Sequence, residues 1–281
     1  MSVTLFLPVV FSGCAEKKSE EKPEMQPKTK PETKPEAKPE AKPEAKPEAK
    51  PEEKVEKKAA EEKAFGTLSD QKFKGGTSLN IELPQPLFEG TPKQVKGITN
   101  LEPPKKKGWK RGVYYVPAGT VNLSVGKPVT GSGEAPIIGE LTMVTDGEKG
   151  GYSGTYVELD PGKQYVQIDL GQQCEIYAIV LWHFHKEARV YKDVIVQVAD
   201  DEDMITNAQI IYNNDDDNSS GMGAGKKDMS YIETYQGRLI DPNKHVEKQV
   251  RGRYVRFYSN GNSSDDFNHY VEIEVYGKPV K

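Results

Sequence analysis

The chain has 281 residues, 35% of them hydrophobic and 29% charged, with a formal net charge of −4. Acid and base nearly balance, so no strong field favours nucleic acid, and that partner is excluded. The length would allow two ordinary domains, but the composition is too uneven along the chain for that.

Residues 1–14, MSVTLFLPVVFSGC, are a short apolar run ending at Cys14 behind Phe11-Ser12-Gly13. The run is too short to span a bilayer. It resembles a bacterial lipoprotein signal, in which the cysteine is acylated and becomes the first residue of the mature protein. The resemblance implies a lipid anchor at Cys14 and a place in the cell envelope, at the outer membrane or cell surface. Two features depart from that pattern: no Lys or Arg precedes the run, and Phe11 stands where Leu is usual.

Residues 15–64 follow as a linker. From Glu16 to Lys63 there is hardly anything but Lys, Glu, Pro and Ala, so a disordered tract is expected. A Pro-Glu-Ala-Lys unit starts at Pro35, Pro39, Pro43 and Pro47, with variants at Pro31 and Pro51. Proline at every fourth position opposes a helix and favours extended geometry. At ~3.1 Å per residue the stretch from Pro31 to Lys54 reaches roughly 75 Å, the behaviour of a spacer. Binding of the lysines to cell wall is the other reading of the tract.

Residues 65–116 are broken by Pro84, Pro86, Pro92, Pro103 and Pro104. Short apolar pieces, Leu79 to Leu83 and Val113 to Val116, predict an irregular extension docked on the following domain by edge strands or straps.

Residues 117–281 carry the fold. Alternating apolar and polar residues predict strands at Tyr165–Leu170, Ile176–His183, Asp193–Ala199, Arg253–Tyr258 and Val271–Tyr276. Turns separate them and helical periodicity is nearly absent, so the predicted fold class is all-β, an antiparallel jelly-roll β-sandwich. Ile176 to Trp182 is almost continuously apolar and is expected to be a central strand covered on both faces. If Cys14 carries lipid, Cys174 has no internal partner, and it is expected to be a half-buried structural thiol.

The order and spacing of Asn122-Leu123-Ser124-Val125-Gly126-Lys127-Pro128, Thr145-Asp146-Gly147, Tyr165 to Gly171, Arg253 to Arg256 and Val271 to Gly277 resemble the discoidin, or coagulation-factor type C, family. That family is related to galactose- and fucose-binding lectin modules. The resemblance covers roughly Val121 to Gly277 and implies a galactose-binding-domain-like sandwich. Asp200 to Val250 is longer than the family carries there, and long loops on rigid sandwiches tend to hold function.

The resemblance also implies a structural Ca2+ site. Motif matching places Asp146 and Glu272 as side-chain ligands, Met143, Glu148 and Val271 as carbonyl donors, and Thr155 as a hydroxyl or carbonyl donor. Hard oxygen ligands in a tight turn suit that ion. The other reading is a turn capped by Asp146 without metal.

His183-Phe184-His185, with Arg189 and Tyr191, stands at the end of the central strand. Fucose- and galactose-binding relatives use His and Arg as donors to sugar hydroxyls with an aromatic ring against the apolar sugar face, and Arg189 resembles the second of their paired arginines. Residues 183 and 185 share one face of a strand. Three readings follow: polar scaffold, sugar or polyanion contact, or a zinc or copper pair completed by Asp217. Two amide- and carboxylate-rich loops, one from Asn213 to Ser220 with Asp217 and Asn218, the other from Asn260 to His269 with Asn262, form a polar rim if they meet near His185. Each is otherwise an ordinary solvated turn.

An EF-hand reading of Asp215 to Lys226 fails, because Gly221 comes one place late and Lys226 stands where a Glu is required. No G-x-S-x-G or H-E-x-x-H is present. The expected function is therefore noncatalytic binding of a carbohydrate or other extracellular polymer. The alternatives are a structural or adhesion protein gripping another protein or matrix polymer, and a metal-dependent hydrolase.

Overall fold

The computed structural model describes residues 76–86, 94–106, 108–246 and 248–281. The lipobox-like end at Cys14 and the linker of residues 15–64 lie outside the described residues.

The elements are β1 (Thr77–Ser78), β2 (Tyr115–Val116), β3 (Val121–Asn122), β4 (Val129–Gly131), a 3-10 turn (Leu141–Thr145), β5 (Val157–Leu159), β6 (Lys163–His183), β7 (Ile195–Ala199), β8 (Gln209–Asn213), β9 (Arg238–Ile240), β10 (Arg251–Asn260) and β11 (Asn268–Pro279). Every pairing between them is antiparallel, and the fold is an all-β sandwich of jelly-roll type.

β6 organises the fold. Its first half pairs with β4 and β10, with Val166 opposite Gly131 and Phe257. Its second half pairs with β9 and β11, with Leu181 opposite Arg238 and Ile273. The sequence predicts two strands, Tyr165–Leu170 and Ile176–His183, and the structure joins them into one bent strand that passes from one layer to the other. The bend falls at Gly171, whose φ of 84° lies in the left-handed region open to glycine, and the Asp169 carboxylate accepts the Gly171 N–H at 2.7 Å.

Between the layers lie Val166, Ile168, Ile179, Leu181, Val196, Val198, Val255, Phe257, Ile273 and Val275, all fully buried. The other face of the second layer is also apolar: Ala178, Val180, Trp182, Val271 and Tyr276 pack with Leu79, Ile81, Tyr114 and Val116. Ile179 and Leu181 face the sandwich core while Val180 and Trp182 face these covering residues, so the strand is buried on both sides. The Tyr114 hydroxyl donates to the Tyr177 carbonyl at 3.1 Å, fastening the cover. Burying one such large side chain stabilises by about 1.5–3 kcal/mol.

The segment between β7 and β10 seals the strand end. The Trp182 indole donates to the Tyr235 carbonyl at 3.0 Å, and Glu233 reaches His183. Cys174 is a free, buried thiol, and burial pushes its pKa up, which suits a structural rather than a reactive role.

Candidate functional site

At the end of β6 the chain sets polar rings into an apolar wall. His183 is fully buried, its Nδ1 2.7 Å from Glu233 Oε1, and its ring stacks on Tyr191 at 4.2 Å and lies 5.0 Å from Tyr270. A carboxylate facing Nδ1 fixes the proton there, as in other carboxylate–histidine pairs, and His183 Nε2 has no partner among the described residues. Tyr191 is buried as well, and its hydroxyl donates to His269 Nδ1 at 2.9 Å, while His269 Nε2–H donates to Glu158 Oε2 at 3.0 Å. His185 is equally buried, with Nε2 2.8 Å from the Lys149 carbonyl. Burial lowers the pKa of both His185 and His269, so both rings are neutral near pH 7.

The structure places His183, His185, Tyr191 and Asn262, candidate ligand contacts in the sequence, in the interior, which fits the scaffold reading of the two histidines. His183 ends β6 and His185 lies just beyond it, and both are buried. Asn262 is also buried, its amide donating to Asp265 Oδ1 at 2.5 Å and to the Phe267 carbonyl at 2.9 Å, so it holds the loop together. His269 is nearly buried and sits behind Glu158.

The residue between the two histidines packs against the edge of the core and stays partly exposed. Phe184 is half-buried and meets Tyr156 edge to face at 5.2 Å, and the Arg189 guanidinium lies over its ring at 4.7 Å. Arg189 is held at 2.8 Å by Asp265 and at 3.2 Å by Glu187. Tyr156 also meets His269 at 5.7 Å, and burial followed by the charge of Glu158 raises its pKa. An aromatic pair, a fixed guanidinium and a carboxylate–imidazole pair thus converge on one surface. Tyr156, Glu158 and Glu233 are the members that sequence reading missed.

The loops from Asn213 and from Asn260 meet through Asp193 rather than at His185. Its carboxylate accepts Ser219 Oγ at 2.8 Å and Asn260 Nδ2 at 2.7 Å. Carboxylate oxygens of Asp193, Asp215 and Asp217 lie within 4.8 Å of one another, so Asp217 belongs to this acidic group and not to a transition-metal set with His183 and His185. Asn218, at φ 62°, uses its side-chain oxygen to accept the Gly223 N–H at 2.6 Å.

The 3-10 turn Leu141–Thr145 ends against β11. Asp146 accepts the Glu148 N–H at 2.8 Å, and Gly147 donates to Glu272 Oε2 at 3.1 Å. Glu272 is 0% exposed, and its Oε1 has no partner among the described residues. Burial pushes its pKa up to about 9 despite the Gly147 hydrogen bond, with Glu274 and Asp146 adding to the rise. An orphaned carboxylate oxygen beside a second carboxylate is what a bound cation would satisfy, so these residues fit Ca2+. Thr155 donates its hydroxyl to the Tyr152 carbonyl at 3.0 Å.

No family model and no curated protein matches the sequence. Among solved structures, the chain is similar to the CBM32 of AlyQ in complex with 4,5-unsaturated mannuronic acid, at 20% identity over 53% of this chain and 92% of that one, TM-score 0.35. It is similar to a family 89 glycoside hydrolase from Clostridium perfringens at 21% identity over 57% of this chain but 15% of that one, TM-score 0.40. A third similarity is to chitosan-binding module 1 of the chitosanase/glucanase from Paenibacillus sp. IK-5, at 22% identity over 56% of this chain and 99% of that one, TM-score 0.35. The chain is also similar to CpGH89CBM32-6 produced by Clostridium perfringens, at 16% identity over 56% of this chain and 99% of that one, TM-score 0.37.

Proposed function

We propose that the domain is a noncatalytic carbohydrate-binding module whose sugar contact is the surface of Phe184, Tyr156 and Arg189. One observation carries the reading: a half-buried aromatic ring is capped by a guanidinium that two carboxylates hold in place. A sugar ring has an apolar face for Phe184 and Tyr156 and hydroxyls for Arg189, Glu158 and Asp265. Few polar groups fixed in an apolar wall are how small-molecule sites achieve orientation. The buried His183, Tyr191 and His269 hold that wall rigid.

The test is a glycan microarray with the full chain, repeated with Arg189→Ala and Phe184→Ala, each checked for folding by circular dichroism. Either variant is expected to lose at least about tenfold in affinity, since each removes a charge-assisted hydrogen bond or an aromatic face. A folded wild-type protein that binds no glycan sinks the proposal.

Calcium belongs to the same proposal as a structural ion, held by the carboxylates of Asp146 and Glu272 with oxygens of Met143, Glu148, Val271 and Thr155. Bound there, it supplies positive charge to a buried carboxylate and ties the turn to β11. The proposal also includes a lipid anchor at Cys14 that displays the module from the cell envelope on the Pro-Glu-Ala-Lys tract. Metabolic labelling with an alkyne fatty acid is expected to mark the wild-type protein and to leave Cys14→Ser unmarked. Equal labelling of the two removes the anchor from the reading.

A further inference from the structure

Tyr152 is a large aromatic residue that the binding surface described above does not use, and it is 45% exposed. Its loop, Lys149 to Thr155, is tied to the site from beneath. His185 Nε2 is bonded to the Lys149 carbonyl at 2.8 Å, and Gly151 packs on the same imidazole. At the far end, the Thr155 N–H and hydroxyl both donate to the Tyr152 carbonyl at 3.0 Å.

The ring itself is positioned by a close approach. A Cβ at Gly150 would lie 2.3 Å from Tyr152 Cε2, so the ring rests against the glycine backbone in a space that no side chain could share. Gly150 in turn donates its N–H to Glu148 Oε1 at 2.7 Å. An exposed aromatic ring held this way loses little freedom on binding, which is the property of a preorganised contact. Lys186 Nζ lies over the ring, 5.4 Å from its centroid, in the same stretch after β6 that carries Phe184. A ligand unit that reaches Tyr152 therefore comes close to a cation.

We propose that Tyr152 and Lys186 form a second subsite, next to the Phe184–Arg189 surface, and that the module binds a glycan of at least two units whose second unit carries an anionic group. This rests on the carbohydrate reading of the first subsite. Tyr152 stacks on the apolar face of the second unit, and Lys186 pairs with its carboxylate or sulfate. Aromatic stacking of this kind contributes about tenfold in affinity.

The experiment is calorimetric titration of the full chain with galacturonic acid and trigalacturonic acid, with galactose and galactotriose as neutral counterparts. The wild type is expected to bind the acidic trimer about tenfold more tightly than the acidic monomer. Tyr152→Ala is expected to remove that gain and leave monomer affinity unchanged. Gly150→Ala, which displaces the ring while keeping the backbone, is expected to do the same. Lys186→Gln is expected to abolish the preference for the acidic trimer over the neutral one. Equal affinity of monomer and trimer in the wild type, or a trimer gain that survives both Tyr152→Ala and Gly150→Ala, overturns the subsite. A trimer gain equal for acidic and neutral sugars overturns its anionic character. Loss of monomer binding in Arg189→Ala together with an unaltered Tyr152→Ala leaves the first subsite standing and overturns the second. Failure of all four sugars to bind overturns the subsite, and the microarray separately decides the carbohydrate reading.

Discussion

A His183→Ala variant is expected to lose about 3–5 kcal/mol of unfolding free energy in a urea titration, a large share of the stability of a domain this size. His183 and Glu233 are both shielded from water and meet at 2.7 Å. Glu233 Oε2 already has no partner among the described residues, so removing the imidazole strands the whole carboxylate in the interior. The deletion also opens a void between Tyr191 and Tyr270, which flank the ring. Replacing both partners by leucine is expected to recover much of the loss, because a buried hydrogen-bonded pair exchanged for apolar side chains of similar volume leaves no polar group unpaired. If the double variant is as unstable as the single one, stacking rather than the carboxylate governs this part of the core.

In EDTA, the domain is expected to grow less stable as pH rises from about 5 to about 9, by an amount on the order of 5 kcal/mol. Glu272 has a folded-state pKa of about 9 against an ordinary value of 4.5, because burial disfavours its charged form. A proton held more tightly in the folded state makes its contribution fully present below the unfolded pKa. That contribution is lost progressively as pH climbs to the folded value and is constant above it. Calcium is expected to reverse the loss, since the cation stabilises the ionised carboxylate in place of the proton. Glu272→Gln is expected to flatten the profile and to abolish the response to calcium. Thermal melts at pH 5, 7 and 9, with and without calcium, provide the measurement, and a Glu272→Gln profile as steep as that of the wild type would refute the assignment.

The strands were legible because alternation is a local property. Val166, Ile168 and Leu170, and then Ile179 and Leu181, mark inward positions that the structure fills with core. The continuity of β6 through Gly171 was not legible, since a glycine and two glutamines look the same as a turn between strands. The candidate site was half legible. Arg189 and the loop around Asp265 were visible as polar residues at a strand end, and alternation grouped His183 with His185. Alternation does not say which side is interior, and the residues that bury His183 include Glu233 and Tyr270, distant in the chain, besides the nearby Tyr191. Phe184 was therefore passed over although it stood between the two histidines. Tyr156 and Glu158 had no signal, because their meaning arises only when β5 pairs with β11 and brings Glu158 to His269.

The passage of β6 through both layers has a consequence for how the molecule comes into being. Its partners β10 and β11 lie roughly 80 to 100 positions later, as in the pairs Tyr254 with Asp169 and Glu272 with Trp182. Neither layer can close until residues 251–279 have left the ribosome, and closing one layer fixes the strand on which the other is built. Assembly is thus dominated by distant pairings and cooperative, so the nascent domain stays open until residues 251–279 have emerged. Amide protons in the two halves of β6 should then exchange only through one shared opening, at a single rate under conditions where opening limits exchange.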